Sequence, residues 1–252
     1  NEDLSEALEF EATAEEVVNT YGERDENGYF IFADIEYDEE GEVVTDENGE
    51  PQVNGYYTDE NVSGPEWTSG SAVGSMDLVE VTEYSYKANA EGLEPNTTYY
   101  YQVGSETGET SEVGTFTTAG EAGEEFTFVQ YTDTQNAYWN EHVYNEAAFG
   151  ADTVATALEE TEADFVLHTG DVVEVAEVED EWVDILEQSK ESILQVPFAV
   201  AAGNHDEYAL VYGDPQLTTK FNEHINVPAE NDAIDGGSYY SFDYNGVHFV
   251  VA

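Results

Sequence analysis

Two different textures of apolar and polar positions run along the chain. In the second half, 126–131 is a continuous apolar and aromatic run, the pattern of a strand buried on both faces. Residues 141–162 place Val143, Ala147, Val154, Ala155 and Leu158 among good helix formers, which predicts a helix. Phe165-Val166-Leu167-His168 is a second strand. Trp182, Val183, Ile185, Leu186, Ile193 and Leu194 mark a second helix, and Phe198-Ala199-Val200-Ala201 a third strand. That order predicts a parallel sheet covered by helices. At the end, 238–244 and 247–251 flank Asn245-Gly246 and predict a hairpin.

The first half reads as β structure throughout. Phe30, Phe32, Ile35 and Tyr37 keep close to the strand period, and the runs 78–87, 97–103 and 113–118 predict further strands. Asn27-Gly28 and Asn48-Gly49 sit between short runs as hairpin turns. Their acidic neighbours look like pieces of calcium loops, but the oxygen spacing of a full loop is absent, so they read as plain turns. Small, polar 119–125, with two glycines, predicts a linker. The expected architecture is therefore two domains, an all-β unit over 1–118 and an α/β unit over 126–252.

Charge narrows the function. The 252 residues carry 58 acidic and 4 basic side chains, a formal net charge of −54. Arg24, Lys87, Lys190 and Lys220 cannot neutralise a row of phosphates, so nucleic-acid binding through a basic patch is excluded, and docking on anionic lipid is disfavoured. Without cysteine there is neither a disulfide framework nor thiolate metal ligation. No apolar run approaches the ~20 residues of a membrane helix. Such an excess of carboxylate is tolerable where salt screens it, which points to a halophilic or alkaliphilic prokaryote and an extracellular or cell-surface protein. A first residue of Asn1 reads as a mature form or an excised piece.

Each predicted parallel strand ends in a polar cluster: Asp133-Thr134-Gln135, then Gly170-Asp171-Val172-Val173-Glu174, then Gly203-Asn204-His205-Asp206. Ligands of α/β sheets bind beyond the carboxyl ends of the strands, so the three clusters converge on one crevice. Two aspartates, two amide oxygens and a histidine suit Mg, Mn, Fe or Zn rather than soft copper. A carboxylate such as Asp171 can bridge two ions ~3.5–4 Å apart, the spacing that clamps a phosphoryl displacement.

Three such clusters in this order resemble the calcineurin-like metallophosphoesterases, in which Asp-x-His, Gly-Asp and Gly-Asn-His-Asp or Glu recur. The stretch Leu93-Glu94-Pro95-Asn96-Thr97-Thr98-Tyr99, followed by Phe116-Thr117-Thr118, is similar to the end of a fibronectin type III-like sandwich. Together they resemble the purple acid phosphatase branch. That resemblance implies a fibronectin type III-like sandwich before an αββα-type domain and hydrolysis of phosphate monoesters or diesters at two metal ions. By it Asp133 ligates the first ion, Asp171 bridges both and Asn204 ligates the second. His205 meets the phosphate and Asp206 orients His205. Two positions depart from the pattern: Gln135 stands where the family has histidine, which tilts the first site toward Mn or Mg, and Glu174 stands where purple enzymes carry their coloured tyrosine. The competing reading is a degenerate, acidic surface or binding protein.

Other candidates read more plainly. His168 lies inside a strand as a structural histidine, His142 and His224 read as exposed helix positions, and His248 as a packing or surface residue of the last hairpin. Tyr138 and Trp139 suit a pocket wall and an aromatic core equally, and Glu174 stands evenly between a group backing the ligands and a bystander. The family's remaining histidine clusters, including a Gly-His-x-His, are expected beyond 247–251, so the span is expected to belong to a longer protein. Substrate identity and oligomeric state are not legible.

Overall fold

The computed structural model describes residues 4, 7–49, 51–58, 76–105, 107–136, 146–208, 219–227 and 238–252. Tyr138, Trp139, His142 and the first turn of the expected helix fall outside them.

Strands β7 (Phe128–Tyr131), β8 (Phe165–His168) and β9 (Phe198–Val200) form a parallel sheet in that order. Helices α1 (Glu146–Thr161) and α2 (Glu179–Gln188) follow β7 and β8, and a short α3 (Lys190–Ile193) begins immediately after Ser189. Strand alternation sends Val166 to one face, against Val154 of α1. Phe165 points to the other, where its ring meets Phe128, Phe242 and Phe249 at centroid distances of 5.2, 5.8 and 5.5 Å. The last two rings come from the antiparallel hairpin of β10 (Tyr240–Tyr244) and β11 (Val247–Val251), so the hairpin closes the sheet from behind. Contrary to expectation, β7 is not buried on both faces: Phe128 and Gln130 are exposed, and among the described residues β7 is the edge strand of its sheet.

In the first half, β1 (Thr13–Gly22) pairs antiparallel with β4 (Leu78–Lys87) over ten residues. Strand β2 (Ile31–Ile35) pairs with β3 (Val53–Thr58), and β5 (Thr98–Tyr101) with β6 (Gly114–Thr117). Among the described residues these are three separate two-stranded ladders. In the stretch 93–99 the Glu94 amide donates to the Tyr99 hydroxyl at 2.8 Å, a tyrosine-to-backbone bond of the kind found in a tyrosine corner. Loop 119–125 is pinned to the turn of the last hairpin, since the Gly120 amide donates to Asn245 Oδ1 at 2.6 Å and the Gly123 amide to the Asn245 carbonyl at 2.9 Å.

All four cations of the sequence lie on the seam between the two halves. Arg24 pairs with Asp180 at 3.3 Å, and Lys190 with Glu112 at 2.9 Å. Lys87 donates to the carbonyl of Asn222, and Lys220 to the Val18 carbonyl and Asn19 Oδ1 at 2.7 and 2.8 Å. Backbone contacts add to them: the Gly22 amide donates to Asp180 Oδ2 at 2.7 Å and the Thr115 amide to the Leu194 carbonyl at 2.7 Å. Every other formal charge on the chain is a carboxylate, histidines neutral, so self-repulsion opposes the compact state until salt screens it. We expect the melting temperature to rise steadily from millimolar to molar sodium chloride; a flat response in a thermal scan contradicts this.

Candidate active site at the carboxyl ends of the parallel strands

The three clusters meet, and they do so largely through backbone. The Asp133 amide donates to the Gly170 carbonyl at 3.0 Å, and the Gln135 amide to the Asp171 carbonyl at 2.9 Å. These bonds zip the first loop onto the second. The third loop joins through the His205 amide, which donates to Asp171 Oδ1 at 2.9 Å. Gly203 permits that approach, because a Cβ there would lie 2.1 Å from Asp171 Oδ1. Asp133, Gln135 and Asp171 all hold positive φ (55°, 39° and 55°), a conformation costing a non-glycine residue of order 1–3 kcal/mol. Hydrogen bonds from three loops hold that strain in place.

Asp206 does not act as the resemblance implied. Its carboxylate, buried with the whole side chain, accepts the amides of Val172 and Val173 on Oδ1 at 2.8 and 3.3 Å, and that of Gly203 on Oδ2 at 2.8 Å. It clasps the second and third loops together. Burial pushes its carboxyl up to about 6, against the pull of those three N–H donors. The group that faces the His205 ring is Glu174: Nδ1 lies 2.9 Å from the Glu174 carbonyl and 3.2 Å from its carboxylate. A carbonyl only accepts, so Nδ1 carries the proton and Nε2 is left for other work. The Tyr208 ring packs 4.6 Å from that of His205, and its hydroxyl accepts Asn204 Nδ2 at 2.8 Å, which leaves Asn204 Oδ1 available as an oxygen donor.

His168 is buried beneath the loops, its ring 4.5 Å from that of Tyr131. The Gly170 amide donates to its Nδ1 at 3.3 Å, so Nε2–H faces Thr134 Oγ1 at 3.3 Å. Burial holds its pKa down, from 6.5 to about 4. A depressed histidine contributes stability that is present above its unfolded pKa and lost as pH falls through the folded one. That loss runs from pH ~6.5 to ~4 and is about 3 kcal/mol. In a chelator, the stability gap between wild type and His168→Gln should therefore narrow by that amount from pH 7 to pH 4; denaturant titrations at both values test it.

His224 is not exposed. Its side chain stacks on Trp182 at 4.7 Å and pairs with Glu179 at 3.2 Å, on helix α4 (Thr219–His224). His248 is a surface residue, 2.9 Å from Asp243.

The oxygen donors that the three loops offer a metal are the carboxylates of Asp133 and Asp171 and the amide oxygens of Asn204 and Gln135. Gln135 Nε2 leans on Asp171 Oδ2 at 3.4 Å, so its oxygen is the free end. Among the described residues no three His, Asp or Glu side chains gather closely enough to hold an ion by themselves. Such an oxygen set fits a hard or borderline cation.

Residues 126–250 match the family model described as calcineurin-like phosphoesterase, and residues 8–118 match that of the purple acid phosphatase N-terminal domain. The chain carries a calcineurin-like phosphoesterase domain behind a purple acid phosphatase N-terminal domain. No curated protein matches it. Eleven solved chains do. One is the purple acid phosphatase PPD1 isolated from yellow lupin (Lupinus luteus) seeds, 20% identical with a TM-score of 0.48, the match covering 91% of this chain and 41% of that one. Another is PhoD, 16% identical with a TM-score of 0.46, covering 96% and 45%. The chain spans less than half the length of either. In the phosphoesterase domain, sequence reasoning left Glu174 undecided and missed Asn136 and Glu181. Asn136 follows Gln135 directly, and its amide side chain donates to the Glu181 carbonyl at 2.8 Å. Glu181 lies in a run of three acids that reads as a solvated helix start, and nothing local signals its burial.

Proposed function

We propose that the protein hydrolyses phosphate esters at a two-metal centre held by Asp133, Asp171, Asn204 and Gln135, with His205 as the acid that serves the leaving oxygen. The grip of Glu174 on His205 Nδ1 carries this reading, because it fixes the tautomer and aims Nε2. Bound there, two ions of Mn, Fe, Zn or Mg would neutralise the charge of the phosphoryl oxygens and make water a nucleophile at neutral pH. In its doubly protonated form His205 keeps Nδ1–H on Glu174, donates Nε2–H to a phosphoryl oxygen and passes that Nε2 proton to the departing alkoxide. Asp171 is held in register by the His205 amide, and Asp206 keeps the second and third loops together while the charge redistributes. No arginine or lysine lies in the three clusters, so backbone N–H groups, Asn204 and His205 orient the phosphate. The N-terminal unit fits a fibronectin type III-like sandwich, supported by the Tyr99 corner. Secretion by a salt-loving prokaryote rests on composition.

Turnover of p-nitrophenyl phosphate and of bis(p-nitrophenyl) phosphate, after dialysis and reconstitution with each metal, tests the proposal and separates monoesterase from diesterase. The second reading, a spent site in an acidic binding protein, draws on one observation: no three ionisable ligands gather among the described residues. Retained metal with neither substrate turned over decides for it.

A further inference from the structure

We infer that docking of the N-terminal domain positions His205, with the first turn of α2 as the transmitting part; this rests on the phosphoesterase reading. Three consecutive acids open that helix, and each faces a different partner. Glu179 meets His224 of α4. Asp180 reaches across the seam: its Oδ2 accepts the Gly22 amide at the end of β1, and its Oδ1 pairs with Arg24. Glu181 turns inward and is fully buried. Its Oε2 accepts the amides of Glu174 and Val175, both at 2.9 Å, while Oε1 has no hydrogen-bond partner among the described residues.

Glu174 is the residue that grips His205 through both its carbonyl and its carboxylate. The path is therefore short and continuous: β1 and Arg24, Asp180, Glu181, the 174–175 backbone, the His205 ring. A buried carboxylic side chain with one idle oxygen is an expensive way to hold two amides, since burial penalises its charge. That geometry is understandable where the loop must be held at a set distance from the helix. The Asn136 side chain ties the same point a second time, donating to the Glu181 carbonyl while the Asn136 carbonyl accepts the Glu174 amide at 3.4 Å. With the N-terminal domain undocked, Asp180 loses the Gly22 amide and Arg24, and the helix start that carries Glu181 loses its anchor. Glu181 and Asp180 are thus positioning residues, acting on His205 only through the Glu174 loop.

The test uses the full-length protein and a double-mutant cycle over Asp180→Ala and Glu181→Ala, with two readouts. The first is hydrogen exchange of the Glu174 and Val175 amides without substrate. Each single variant should speed it at least several-fold, and the double variant should be no faster than Glu181→Ala alone. The second is steady-state kinetics on p-nitrophenyl phosphate. Here Glu181→Ala should lower kcat by roughly 10–100-fold with KM within about threefold and metal content kept, as expected of misplaced rather than missing chemistry. Glu181→Gln, whose amide oxygen can still accept both amides, should recover protection and most of kcat relative to the alanine. Arg24→Gln guards against a folding failure at Asp180, because it loosens the same contact from the other side of the seam; it should speed exchange in the same direction. Unchanged exchange in Asp180→Ala and Arg24→Gln, additive effects in the cycle, or a glutamine as damaging as the alanine overturns the inference. If the wild type turns over neither ester, the phosphoesterase reading fails, and the exchange cycle alone still decides whether docking holds the loop.

Discussion

Replacing His205 by alanine is expected to lower turnover of a phosphate ester by 10²–10⁴-fold while leaving the metal bound and the fold intact. The magnitude is that of one positioned acid or base. The selectivity follows from how the residue is attached. Its backbone amide, which alanine keeps, makes the bond to Asp171 Oδ1. Its ring touches only Glu174 and Tyr208 among the contacts described above, and neither is a proposed ligand. The expected pattern is a fall in kcat with metal stoichiometry and melting temperature near wild type. Loss of metal on ring removal would instead make His205 a ligand and reassign the site.

Asp206→Ala should do the opposite and unfold the site before it slows it. Three backbone N–H groups lose their acceptor in a place water does not reach. At about 1–3 kcal/mol for each buried donor left unpaired, a loss of roughly 3–5 kcal/mol is expected after partial relaxation. Metal affinity should fall as well, since Asp171 and Asn204 stand on the two loops that Asp206 joins. Asp206→Asn retains one acceptor oxygen and should lose about half as much. Urea titration of the three proteins distinguishes these outcomes, and an alanine variant as stable as wild type would remove the clasp from the account.

The parallel sheet was legible because 126–131, 165–168 and 198–201 are the only apolar runs of strand length separated by helical periodicity in that half of the chain. Its three polar ends were legible for the same reason, as chemistry is placed where the strands stop. Strand β1 was not singled out within the half read as β structure: Thr13-Ala14-Glu15-Glu16 is rich in helix formers, and pairing with β4 makes it a strand. The role expected of Asp206 came from the resemblance, whereas the 3-10 turn at His205–Glu207 sends successive side chains in different directions and takes its carboxylate to the amides of Val172, Val173 and Gly203. His224 looked exposed for want of any sign that Trp182 would lie against it.

Lysine and arginine occur at only four places in this chain, and all four are committed to the seam. Trypsin cuts after those residues and no others. Tryptic digestion of the folded protein therefore reports on the seam between its two halves. Most proteins scatter cleavage sites over loops and surfaces, so that nicking reports local fraying. Here every fragment end maps to a residue of a single boundary.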